Sequence, residues 1–131
     1  VIINLVGVTR FEIIKEIDNK KRYREFEVSY ENFDVDLVSQ DEALIERERL
    51  KLFKDKAKVF FKKNGLLLNW KEFEKLDQSQ QINTLAMIAP VSNEEKQKLL
   101  ETKTIIGKTK LMSEIIEFYL HASRVDNKTL Q

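Results

Sequence analysis

The sequence predicts an α+β fold, with N-terminal β-strands followed by a C-terminal bundle of about five helices. Three observations predict it. Residues 1–36 place apolar side chains at alternate positions, as in Glu25-Phe26-Glu27-Val28-Ser29-Tyr30-Glu31, which is the period of a half-buried strand. From Val38 onward the apolar residues recur at spacings of three and four, the period of a helix with one buried face. Short polar words such as Asn64-Gly65 and Ser92-Asn93-Glu94-Glu95 separate the helical stretches, and short connections favour antiparallel neighbours in a bundle. The chain is divided accordingly into a β subdomain at 1–37 and a helical subdomain at 38–131.

Composition narrows the class. The chain has 131 residues, 42% hydrophobic and 34% charged, a globular balance for one domain or two small subdomains. Net charge is +1, so no global field draws nucleic acid or a membrane surface. Cysteine is absent. That excludes disulfides, thiolate zinc sites and cysteine nucleophiles, and fits a reducing, cytoplasmic compartment. No apolar run approaches the roughly 20 residues of a membrane span.

The elements follow in order. The chain opens on Val1-Ile2-Ile3 with no basic region or cleavage site of a signal peptide. A strand at residue 1 leads to the expectation that N-terminal sequence has been removed. Thr9-Arg10-Phe11-Glu12-Ile13 alternates, and Asp18-Asn19-Lys20-Lys21 reads as the loop of a hairpin returning through Glu25–Glu31. Gly7 predicts a bend or bulge. Ser39-Gln40-Asp41-Glu42 reads as a helix start, with acids in the first turn. Leu50, Phe53, Ala57, Phe60 and Phe61 share the buried face of that helix, which ends at Asn64-Gly65. Leu66-Leu67-Leu68 reads as an apolar plug into the core. Asn69 caps a short helix carrying Trp70, Phe73 and Leu76. Asp77 or Ser79 caps the next helix, whose Ile82, Leu85, Ala86 and Ala89 are buried before Pro90, the only proline, stops it. Ser92 and Glu95 form a capping box for a further helix. Thr104 caps the last one, with Ile105, Met112, Ile115, Ile116 and Tyr119 inward. Gly107 inside it costs roughly 1 kcal/mol relative to alanine, and close helix packing is its expected reason. Asp126–Gln131 is expected to fray.

No catalytic, cofactor-binding or metal-ligating set stands out. His121 is the single histidine and reads as structural or superficial. Gly7, Gly65 and Gly107 lie too far apart for a phosphate-cradling loop. Glu46 with Glu48 and Glu94 with Glu95 read as surface and capping carboxylates. Lys51, Lys54, Lys56, Lys58, Lys62 and Lys63 suggest either a phosphate-binding stripe or, as the preferred reading, a solvated face. The aromatic residues Trp70, Phe73, Phe118 and Tyr119 are the candidates for gripping a polypeptide, with core packing the default for Trp70 and Phe73. Phe118 and Tyr119 are adjacent on a helix, so one of them is expected to be half-exposed.

Together, Thr9-Arg10-Phe11, the hairpin to Tyr30, Asn83-Thr84-Leu85-Ala86-Met87 and Glu94-Glu95-Lys96-Gln97-Lys98-Leu99-Leu100-Glu101 resemble the Lon protease N-terminal domain. The likeness is to stand-alone bacterial Lon-domain proteins and extends from Val1 to about His121. The resemblance implies a partial PUA-like pseudo-barrel, here its late strands, followed by a helical bundle. A removed segment or a partner chain would cover the free strand edge, so a homo-oligomer through that edge is one expectation. It further implies a non-catalytic module that binds unfolded or hydrophobic protein segments, with no cofactor, since neither an ATP-binding loop nor a Ser–Lys peptidase segment occurs in the chain. An RNA-binding module of PUA-like type is the alternative. Residues 1–36 hold six Lys and Arg against eight Asp and Glu, and a mildly acidic β piece disfavours it.

Overall fold

The computed structural model describes residues 2–37 and 45–126, with side chains to residue 122. The chain forms two compact units, Val1–Asp41 and Glu42–Gln131. The fold is mixed α+β, with a two-stranded antiparallel sheet first and helices after it.

In the first unit β1 (Glu12–Ile17) pairs antiparallel with β2 (Glu25–Ser29). Residues 2–11 are not a strand, contrary to the alternation. Arg10 explains where the ladder stops. Its backbone N–H donates to Asp36 Oδ2 at 2.9 Å, so that donor is not available to a neighbouring strand. Its guanidinium also grips the same carboxylate with two bonds of 2.8 and 2.7 Å. Asp36 ends a short 3-10 helix, Glu31–Asp36, where strand was expected. Phe33 from that helix lies under the Arg10 guanidinium, 4.6 Å from ring centroid to carbon. It is the buried apolar side chain of this unit among the described residues. Gly7 sits in open coil.

β1 contains one extra residue. Ile13 faces Val28 and Lys15 faces Glu27, which leaves Ile14 as a bulge. Cross-strand partners share a face of a sheet. One face therefore carries Ile13 with Val28 and Glu16 with Phe26, and the other carries Lys15 with Glu27 and Ile17 with Glu25.

Among the described residues the second unit holds five helices: α1 (Arg47–Lys63), α2 (Trp70–Phe73), α3 (Gln78–Ile88), α4 (Asn93–Glu101) and α5 (Ile105–Asp126). The expected helix start at Ser39–Glu42 lies outside the described residues. Ile45 and Glu46 are non-helical, and α1 begins at Arg47. Gln78 holds Ile45 by both backbone groups, at 2.7 and 3.1 Å. The core forms around Phe53, Ala57, Phe60 and Phe61 of α1, Ile82 and Leu85 of α3, Leu99 of α4 and Met112 and Ile116 of α5. These are the inward positions that the helical period marks on α1, α3 and α5.

Local caps set the helix ends. After α1, the Gly65 N–H donates to Lys62 O and the Leu66 N–H to Phe61 O, a Schellman ending with Gly65 at φ 73°. Asn69 accepts from the Glu72 N–H to start α2. Leu76 falls beyond α2, which closes at Phe73. Asp77 with Gln80 and Ser92 with Glu95 make two reciprocal capping boxes, one on each side of the Pro90 corner. The Gly107 N–H donates to Thr104 Oγ1 at 3.1 Å, which places Thr104 at the head of α5.

Two expectations fail in this unit. Leu66-Leu67-Leu68 is not a plug. Leu67 is 93% exposed, and of the three only Leu68 packs on the core. The Schellman turn spends the linker on reversing direction, which leaves Leu67 at its outer side. Gly107 does not serve a neighbouring helix. A Cβ there would meet Thr104 Oγ1 at 3.0 Å and Thr102 Cγ2 at 3.1 Å, both in the loop that leads into α5 itself. The expected fraying of Asp126–Gln131 lies, past Asp126, outside the described residues.

Candidate functional site

Among the described residues of the first unit, the hairpin presents an apolar face that is largely exposed. Phe11 lies 6.2 Å from Tyr30, ring to ring, just beyond the strand ends. Ile13 and Val28 continue this face, followed by Phe26. Phe11 is 51% exposed, Ile13 59% and Tyr30 47%, whereas Phe26 and Val28 are half-buried. Two strands have no second layer to bury such a face. Among the described residues the sheet has only these two strands, so each keeps one unpaired edge.

The far end of the face is closed by charge. Arg24 stacks over Phe26 at 4.9 Å and forms two bonds to Glu16, at 2.8 and 2.9 Å. That guanidinium holds the Glu16 carboxyl below the usual carboxylate range, and Glu16 in turn raises Arg24. A shallow open pocket of about 460 Å³ lies against the hairpin loop, lined by residues that include Asp18, Lys21 and Tyr23. Its charges are largely neutralised within the loop, because Lys21 pairs with Glu25 as Arg24 does with Glu16. A net charge that could draw an ionic ligand is lacking.

The four aromatic candidates of the second unit separate by burial. Phe73 is 4% exposed and belongs to the core. Trp70 packs edge-on against it at 5.3 Å and is half-buried, with the Lys58 ammonium 5.1 Å above its ring. Tyr119 leans on Phe60 at 5.8 Å and donates its hydroxyl to Glu95 Oε2 at 2.8 Å. That bond, then burial, then the Glu95 charge raise the Tyr119 hydroxyl above its ordinary value. Phe118 projects outward, 67% exposed. The structure thus joins Trp70 to Phe73 and Phe118 to Tyr119. Of the four, Phe118 offers the most free surface.

The hairpin face was missed as a site, although its signal was present. Phe11, Ile13, Phe26, Val28 and Tyr30 stand at alternate positions in two segments joined by a loop. That pattern reads as strand before it reads as surface. His121 is exposed on α5. Among the described residues no group of acidic or histidine side chains could hold a metal ion, and no helix is long and apolar enough to cross a membrane.

Comparison with known families gives a binding domain. Residues 1–117 match the ATP-dependent protease La (LON) substrate-binding domain, a domain type that binds substrate and is itself non-catalytic. No curated protein and no solved structure matches the chain significantly. With the match running through the hairpin, the Pro90 corner and most of α5, the chain belongs to the family of ATP-dependent protease La (LON) substrate-binding domains.

Proposed function

We propose that this chain holds unfolded protein segments through the apolar face of its hairpin, without acting on them chemically. An extended segment lays apolar side chains against Phe11, Ile13, Phe26, Val28 and Tyr30. Its backbone adds to an unpaired strand edge, which supplies hydrogen bonds regardless of sequence. Membership of a substrate-binding family supports a protein ligand. The exposed face is the observation that carries the rest, since contiguous exposed apolar surface marks interaction sites. Phe118 on α5 is the second contact in this reading.

Fluorescence anisotropy with a labelled, permanently unfolded protein tests it. Binding is expected in the micromolar range. Burying a half-exposed phenylalanine contributes about 1 kcal/mol, so Phe11→Ser with Phe26→Ser should weaken binding about 30-fold. Phe118→Ser should cost less than that pair. Failure to bind unfolded proteins and hydrophobic peptides would overturn the proposal.

A further inference from the structure

We infer that the outer stripe of α1 is a second docking surface, made for acidic stretches of the bound polypeptide. The inference rests on the reading of the chain as a polypeptide binder and adds a charge preference to it. Arg47, Lys51, Lys54, Lys58 and Lys62 follow one another at steps of four, three, four and four. Those steps keep all five on one stripe of the helix, about 22 Å long. The buried face, at Phe53, Ala57, Phe60 and Phe61, lies to one side of it.

A stripe of this kind is costly to the isolated helix. Solvated helix faces gain stability by alternating charge at spacings of three and four, and like charges at those spacings repel. Here all four successive steps join like charges, and the acidic residues at those spacings, Glu48 and Asp55, neighbour only Lys51 and Lys58. Arg47 is also the first residue of α1, where the helix dipole opposes positive charge. The lysines near the C-terminal end are dipole-compensated, but Arg47 and Lys51 are not. Among the described residues, Lys58 is the one member in an ion pair, with Glu74 at 3.6 Å. Of the other three cations of α1, Lys56 pairs with Glu117 and Arg49 with Glu46. An anionic partner would relieve the repulsion that the stripe leaves standing.

The surroundings favour a polypeptide over a nucleic acid. The adjoining face of α1 carries Leu52 and Val59, seven residues apart and 59% and 58% exposed. They give a protein segment apolar area to cover and give a phosphate backbone nothing. One aromatic ring, Trp70, borders the stripe, and Lys58 already occupies it, so no stacking platform for successive bases is present. The spacing fits as well. Cations four residues apart stand about 6 Å apart along the axis, close to the roughly 6.7 Å between alternate residues of an extended strand. Acidic residues at every second position of an extended segment would meet them in turn.

The test uses the whole chain and two labelled peptides of about seven residues that share their apolar positions. One has glutamate at alternate sites and the other has glutamine there. At low salt the acidic peptide should bind about tenfold more tightly, as three or four exposed ion pairs would give. That advantage should shrink as salt rises. Lys51→Glu with Lys54→Glu and Lys62→Glu should abolish the advantage, leaving the helical circular dichroism and the glutamine peptide's affinity unchanged. The milder Lys51→Gln with Lys62→Gln should reduce it by part. Equal affinity for the two peptides overturns the inference while leaving hairpin docking intact, as does a single-stranded oligonucleotide that outcompetes the acidic peptide. Loss of binding to both peptides in the unaltered chain points instead to failure of the docking proposal itself.

Discussion

Replacing Gly107 with alanine sets helix propensity against a tight contact, and the structure decides which wins. Alanine in a helix gains at most about 1 kcal/mol over glycine, and less in a first turn. The new methyl would lie 3.0 Å from Thr104 Oγ1 and 3.1 Å from Thr102 Cγ2, so both must retreat. Neither is free to. Thr104 Oγ1 accepts the Gly107 N–H at 3.1 Å, and losing such a cap costs about 1 kcal/mol. Thr102 is held by its own hydroxyl, which donates to Lys98 O at 2.8 Å. Overpacking against fixed neighbours costs about 1–3 kcal/mol, so Gly107→Ala should destabilise the chain by about 1 kcal/mol net. Urea unfolding followed by helical circular dichroism measures it. Adding Thr102→Ser removes the obstructing methyl and keeps the hydroxyl, so the double variant should recover at least half of the loss. Gly107→Ala that stabilises the protein by the full propensity gain would refute the argument.

Other outcomes follow from burial and titration. Ile116 is fully buried in α5 and Ile106, on the same helix, is 48% exposed. Ile116→Ala should cost about 2–5 kcal/mol and Ile106→Ala under about 1 kcal/mol in the same urea assay. Tyr119 has its folded value raised, so its contribution is complete below the ordinary tyrosine value and is lost as pH climbs through the raised one. Stability of the unaltered chain should therefore fall more steeply above about pH 10 than that of Tyr119→Phe, as read from paired thermal melts.

Local chemistry was legible in the chain, and long-range chemistry was not. Both capping boxes, the Gly65 ending and the inward faces of α1, α3 and α5 depend on residues within one or two turns of each other. A linear reading reaches those. The clamp of Arg10 on Asp36 spans 26 positions, so nothing near Arg10 signals that residues 2–11 leave the ladder. Leu67 misled for a similar reason. A leucine triplet reads as core unless the Schellman turn beside it is placed in three dimensions. Gly107 was recognised as anomalous, but its crowding partners lie in the preceding loop, and only coordinates separate that from helix–helix approach. In the site, Phe118 and Tyr119 divided into outward and inward rings as adjacent helical positions must. The hairpin face could be traced by alternation alone, but the exposure of Phe11, Ile13 and Tyr30 could not.

The surplus residue in β1 controls what that hairpin looks like from outside. With Ile14 counted out of the pleat, Lys15 falls in with Glu27 rather than beside Ile13. Were Ile14 threaded into the ladder instead, that half-step correction would vanish. Phe11 and Ile13 would swap sides relative to everything downstream, scattering grease among the ions on both surfaces. A miscount of one thus keeps the ribbon two-toned, with Ile13, Val28 and Phe26 gathered on a single side.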